Sequence, residues 1–137
     1  MSVSLSLTHS SPVLRGRAAF IALWALQIAL AGMFLLAGGS KLLGAAPMVA
    51  LFNVIGIGQW FRYVTGLIEV GSAVALLVPA FAVFGALALV PTMIGAILAQ
   101  LFIVGDSAVP PAVLLVGVAV VIWARWHELP MRRPTVR

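Results

Sequence analysis

Glu69 is the residue from which chemistry could come. It stands in GLIEVGSAVALL, residues 66–77, a run otherwise suited to hydrocarbon. A carboxylate in such a setting takes up a proton or requires a partner, because burying an unpaired charge is costly. It lies roughly 10 Å along a helix that starts near Arg62, at about 1.5 Å of rise per residue. Lys41, at the end of the preceding apolar run, and Arg62, on nearly the same helical face, are the candidate cations. Thr65 and Ser72, at i−4 and i+3, extend a polar stripe beside Glu69. Three roles fit this pattern. Glu69 is half of an ion pair that locks two spans together, a proton-handling or substrate-facing acid/base in a cavity, or an anchor at the lipid headgroups.

The remaining polar groups are few. Gln100 falls near the end of the third apolar run, at the depth of Glu69 if the connecting hairpin is regular, and shares its face with Met93 and Ala96. Gln27 and Thr92 lie nearer mid-span. Gln27 and Gln100 are expected to bond between helices more than to do chemistry. Asp106 reads as a solvated turn residue, while Trp123 and Trp126 suit an interfacial belt and Trp24 lies one to two turns from the inner end of its helix. His9 and His127 stand at opposite ends of the chain, so no bis-histidine haem and no carboxylate metal cluster is expected. The chain has no cysteine, which excludes disulfides, thiolate metal sites and a Cys relay within it. IGIG at 55–58 lacks the strand, lysine and helix that would make a phosphate loop. No Ser/His/Asp arrangement is convincing.

The elements that hold these groups are set by the solvent. Of 137 residues, 64% are hydrophobic and 8% charged, and mean hydropathy is +1.21. Soluble domains are roughly a quarter charged. Residues 18–40, 70–105 and 107–124 carry no Asp, Glu, Lys or Arg, and such runs approach or exceed the roughly 20 residues that cross a bilayer as helix. The chain is expected to be all-α: a transmembrane four-helix bundle, with spans near 18–39, 62–78, 81–104 and 110–126. Residues 42–63, with Pro47, Asn53, Gln59 and three glycines, are expected to form an interfacial or re-entrant segment with a short helix near 47–55. Residues 1–17 read as a polar tail, 18–126 as the membrane domain and 127–137 as a basic tail. Pro79–Ala80 leaves room only for a tight hairpin turn, and Pro91 predicts a bend.

Charge orients the bundle. Arg15 and Arg17 precede the first span, and Arg125, Arg132, Arg133 and Arg137 flank the last. The opposite side holds Lys41, Arg62 and Asp106. Excess Lys and Arg favour the cytoplasm, so both termini are expected there, in a bacterial cytoplasmic membrane. The net charge of +5 therefore reads as membrane orientation, not nucleic-acid binding. Small residues at four-residue spacing (Gly71 with Ala75; Ala88, Thr92 and Ala96; Gly95 with Ala99) predict close helix packing and a homo-oligomer or a protein partner.

Two phrases, FLLAGGSKLLG at 34–44 and RYVTGLIEVGSAVALLVP at 62–79, set Lys41, Gly66, Glu69 and Gly71 in a pattern that resembles the DoxX/DoxX-like family of small four-helix membrane proteins. GALALVPTMIGAILAQLFI at 85–103 extends the likeness, which covers roughly 20–126. Many relatives have a histidine near the end of the third span where this chain has Gln100, which weakens metal binding or proton transfer there. The resemblance implies membrane subunits of quinone-linked oxidoreductases such as thiosulfate:quinone oxidoreductase, partners of oxidative-stress enzymes, or receptor assembly factors. Quinone is the one cofactor implied, and only by the resemblance. A non-catalytic membrane subunit or assembly partner is the first functional expectation. The alternatives are a quinone- or lipophile-binding oxidoreductase subunit, marked by an amphipathic cavity beside Glu69, and an enzyme or transporter for a small lipophile.

Overall fold

A computed structural model describes residues 12–126, with side chains from residue 16. Five helices follow in order: α1 (Pro12–Leu42), α2 (Ala46–Ile55), α3 (Gln59–Leu77), α4 (Ala82–Ala99), continued by a π-helical turn (Gln100–Val104), and α5 (Val109–Arg125). The protein is all-α over these residues. Three stretches, Gly16–Leu42, Gln59–Leu77 and Ala82–Val104, are long and apolar enough to cross a membrane; α2 and α5 are shorter. This is an integral membrane protein of helices. The fourth expected span is α5, whose 17 residues make about 25 Å of helix. His9, His127, Arg132, Arg133, Arg137 and most of both expected tails lie outside the described residues.

Local sequence explains the boundaries. α1 begins at Pro12, inside the expected tail, because proline suits a first helical turn where its missing N–H has no partner to lose. Its 31 residues make about 46 Å of helix, well beyond the roughly 30 Å of hydrocarbon. α2 carries Pro47 in its first turn and stops before Gly56, whose φ of 79° only glycine adopts freely and whose N–H donates to the Phe52 carbonyl. Val78 and Phe81 close successive turns across Pro79–Ala80, giving the expected hairpin between α3 and α4. α4 tolerates Pro91 in its interior. The π-turn after it was not foreseen; Gly105 ends it with φ 72° and an N–H donated to the Gln100 carbonyl at 2.9 Å.

α1 packs most extensively on α3, α4 on α5, and α3 on α4, with a lighter contact between α1 and α5. Phe34, Leu76, Leu89, Val118 and Val121 are fully buried where these helices meet. Large apolar side chains such as Leu36, Leu67, Phe84 and Phe102 stay exposed, as lipid-facing surfaces require. The close approaches fall at glycines other than those expected. A Cβ on Gly38 would stand 2.9 Å from the Gly66 carbonyl, and one on Gly85 2.8 Å from the Ser72 carbonyl. Gly71 and Gly95 have nothing within 4 Å. The expected small-residue packing is thus corrected: Ala75 meets Gly85, but Ala88, Thr92, Gly95, Ala96 and Ala99 line a cavity. Small side chains there leave space unfilled.

Candidate functional site

α1 and α3 set the charged pair. The Gly38–Gly66 contact brings their backbones together, and one turn further along α1 Lys41 reaches across to Glu69. Lys41 Nζ donates to Glu69 Oε1 at 3.0 Å and Oε2 at 2.8 Å. The Glu69 side chain is 3% exposed and that of Lys41 13%. Both carboxylate oxygens are therefore engaged by one ammonium, a strong charge-assisted arrangement.

Arg62, the other candidate, is not the partner of Glu69, nor does it sit free at headgroup level. It is buried. Its Nη1 donates to the Lys41 carbonyl, its Nε to Gln59 Oε1 at 2.7 Å, and its guanidinium lies 4.3 Å from the centre of the Tyr63 ring. The Lys41 carbonyl lies in the last turn of α1, where backbone acceptors lack intrahelical donors, so Arg62 closes that helix end. Gln59 extends the chain of bonds to α2, donating from Nε2 to Asn53 Oδ1 at 2.8 Å and to the Val49 carbonyl at 3.1 Å. Its role as a clasp was missed; a glutamine three residues before Arg62 on a helix was the available signal.

Thr65 Oγ1 returns its proton to the α3 backbone, 3.1 Å from the Phe61 and Arg62 carbonyls. Ser72 is buried on the side of α3 that meets α4, at the Gly85 contact. Gln100 makes no interhelical bond: its Oε1 is buried without a hydrogen-bond partner. The expectation of glue at that position is corrected: Gln100 lines a cavity and bonds to no facing helix.

That space is a cavity of about 930 Å³ between α3, α4 and the π-turn, bordered by α1 and α5 and roofed by α2 through Met48, Leu51, Phe52 and Ile55. Lys41, Thr65, Glu69, Thr92 and Gln100 are its polar lining residues; the rest of the lining is apolar. The structure thus brings Lys41, Thr65, Glu69 and Gln100 to one cavity, while Arg62 and Ser72 lie outside the lining. Among the described residues, no three of His, Cys, Asp and Glu come together.

A second polar contact joins the other end of the bundle. Gln27 Nε2 donates to the Leu76 carbonyl at 2.6 Å, and its Oε1 accepts from Arg125 Nε at 2.6 Å. Gln27 thereby serves an orphan carbonyl at the end of α3, the interhelical role expected of it. Arg125, expected as a flanking charge, is buried, with its guanidinium 5.3 Å from the centre of the Trp24 ring. Asp106 remains a turn residue, accepting from the Ser107 N–H at 2.7 Å.

The chain matches no curated protein and no solved structure. Residues 25–124 match the DoxX-like family, a stretch running from α1 through α5 and containing the Lys41–Glu69 pair and every helix that borders the cavity. This chain belongs to the DoxX-like family.

Proposed function

We propose that the chain is a four-span subunit of a larger assembly in the bacterial cytoplasmic membrane, and that it binds a lipophilic molecule in the cavity roofed by α2. The cavity carries this reading. Its volume of about 930 Å³ and its apolar lining, broken by a small polar group at Lys41, Glu69 and Gln100, match the make-up of small-molecule sites. A protein serving only as scaffold would favour filling such a space. Quinone is the occupant the family suggests. An acid/base role for Glu69 is the weaker reading, because both its oxygens accept from Lys41.

The contact between Gln27 on α1 and Arg125 on α5 favours the four-span arrangement, since it sets the early part of α1 beside the end of α5. With the arginine-rich flanks at that end, both termini are cytoplasmic. Reporter fusions after Arg137 and within residues 42–60 should report opposite sides of the membrane. A C-terminal reporter on the outer side removes the model.

Binding is tested in lipid nanodiscs by thermal denaturation with decylubiquinone and with 4-nonylphenol. A bound ligand raises the midpoint in proportion to RT ln(1 + [L]/Kd). At least one probe should raise the wild-type midpoint, and neither should raise that of Ala96→Trp, which places a large ring in the cavity wall. No shift of wild type by either probe overturns the reading.

A further inference from the structure

Of the polar side chains that line the cavity, all but one are already bonded within the protein. Lys41 and Glu69 hold one another, and the Thr65 and Thr92 hydroxyls donate to carbonyls of their own helices. Gln100 alone makes no hydrogen bond among the described residues. The two ends of its amide have different surroundings. Oε1 is packed away from accessible space, so no occupant reaches it. Nε2, a donor with no acceptor, is the end that meets the cavity. An N–H left unpaired against an apolar hollow is a standing cost that a leucine at the same position would avoid. Gln100 is also the first residue of the π-turn, a local widening of the helix that recurs at functional sites. Val64 and Ile68 on α3, with Leu98 and Phe102 on α4, border the same space and are exposed, so its mouth is apolar and opens to lipid.

Resting on the binding reading above, we propose that the occupant is an uncharged lipophile whose head presents a carbonyl oxygen to Gln100 Nε2, which makes Gln100 the residue that selects it. Lys41, in the last turn of α1 at the same end of the bundle, keeps one N–H beyond the two aimed at Glu69 and is the second donor there. Plain hydrocarbon leaves the Gln100 amide unpaired. A carboxylate head supplies acceptors but adds a negative charge to a lining whose charges, Lys41 and Glu69, already cancel. An ammonium head brings an unbalanced positive charge and no acceptor. A carbonyl meets the demand without altering the charge. The class is wider than quinones, because a redox-inert ketone or ester meets it equally. A site that hydrogen-bonds its ligand discriminates against an analogue lacking the bonding group, because the protein's own polar group is then left bare.

The test compares 4′-nonylacetophenone with 1-ethyl-4-nonylbenzene, its close match without the oxygen, at equal mole fraction in the bilayer of protein-loaded nanodiscs. Affinities come from the rise in denaturation midpoint. The ketone should bind wild type about fivefold more tightly than the hydrocarbon or better, the worth of one net hydrogen bond. Gln100→Leu should bring that ratio close to one and, without ligand, melt no lower than wild type. Equal binding of ketone and hydrocarbon to wild type overturns the carbonyl assignment and leaves lipophile binding standing. So does a ratio that survives in Gln100→Leu, or binding of decylubiquinone or 4-nonylphenol with the ketone unbound. Tighter binding of 4-nonylphenol than of the ketone, lost in Gln100→Leu, would mean that the amide shows the cavity its oxygen, and it overturns the assignment too. A ligand-free Gln100→Leu protein that melts well below wild type makes Gln100 a structural residue, with the same result. Failure of all four probes removes the binding reading itself.

Discussion

Lys41→Ala should destabilise the protein by about 3–5 kcal/mol, the cost of leaving one buried member of an ion pair without its counter-ion. Glu69 is the member left behind, with its side chain only 3% exposed and, among the described residues, no cation but Lys41 bonded to it. Arg62 is committed to the Lys41 carbonyl and Gln59, so no second cation steps in. The measurement is the denaturation midpoint in nanodiscs, together with accumulation in the membrane. Glu69→Gln should cost less. A neutral amide still accepts from Lys41, whose side chain is 13% exposed and has a stem long enough to lean outward. Replacing both at once, Lys41→Met with Glu69→Leu, should recover most of the loss, because an apolar pair removes the desolvation cost with the attraction. A Lys41→Ala protein as stable as wild type would show that the pair does not join α1 to α3.

Gly38→Val should be strongly destabilising. A Cβ there would stand 2.8 Å from Val70 Cγ2, 2.9 Å from the Gly66 carbonyl oxygen and 3.0 Å from Glu69 Cβ. The Val70 methyl has some room to turn, but the carbonyl is backbone, so α1 and α3 must separate. Overpacking of this kind costs about 1–3 kcal/mol, and more follows because Lys41, one turn on, loses its reach to Glu69. Gly71→Ala and Gly95→Ala are the controls: neither Cβ meets anything within 4 Å, and each gains roughly 0.8–1 kcal/mol of helix propensity. Melting curves of the three variants in the same lipid separate the outcomes. Gly38→Val melting with wild type would mean that the two helices are not in tight contact.

Much of this was legible because it is local. Charge-free runs mark helices in lipid, Pro47 and Gly56 bracket α2, and Pro79 closes a hairpin; each is a property of neighbouring residues. The Lys41–Glu69 pair was narrowed to two cations by topology, since a short α2 connection keeps α1 beside α3. What chose Lys41 over Arg62 is tertiary: the Lys41 carbonyl at the end of α1 lies within reach of a guanidinium, and the long Arg62 side chain goes there. The same limit applied to Arg125, which in sequence looks like a flank and in space lies under Trp24. Small residues were the least decidable. Four-residue spacing of Ala88, Thr92 and Ala96 is compatible with a tight helix contact or with a hollow, and only the position of α2 over them determines which.

The π-turn has a consequence for comparing this chain with its relatives. Five residues, Gln100–Val104, occupy a turn that closes from Gly105 to Gln100, where an α-helix would close it over one residue fewer. Each α-helical residue turns the chain by about 100°, so a homologue that continues as plain α-helix has its later side chains rotated by about that angle against these. Aligning the two without a gap would pair residues that face increasingly different directions toward the end of the turn. A single-residue indel inside 100–104 is therefore the natural alignment event in this span, and Gln100, lying before it, keeps its column whether or not the extra residue is present.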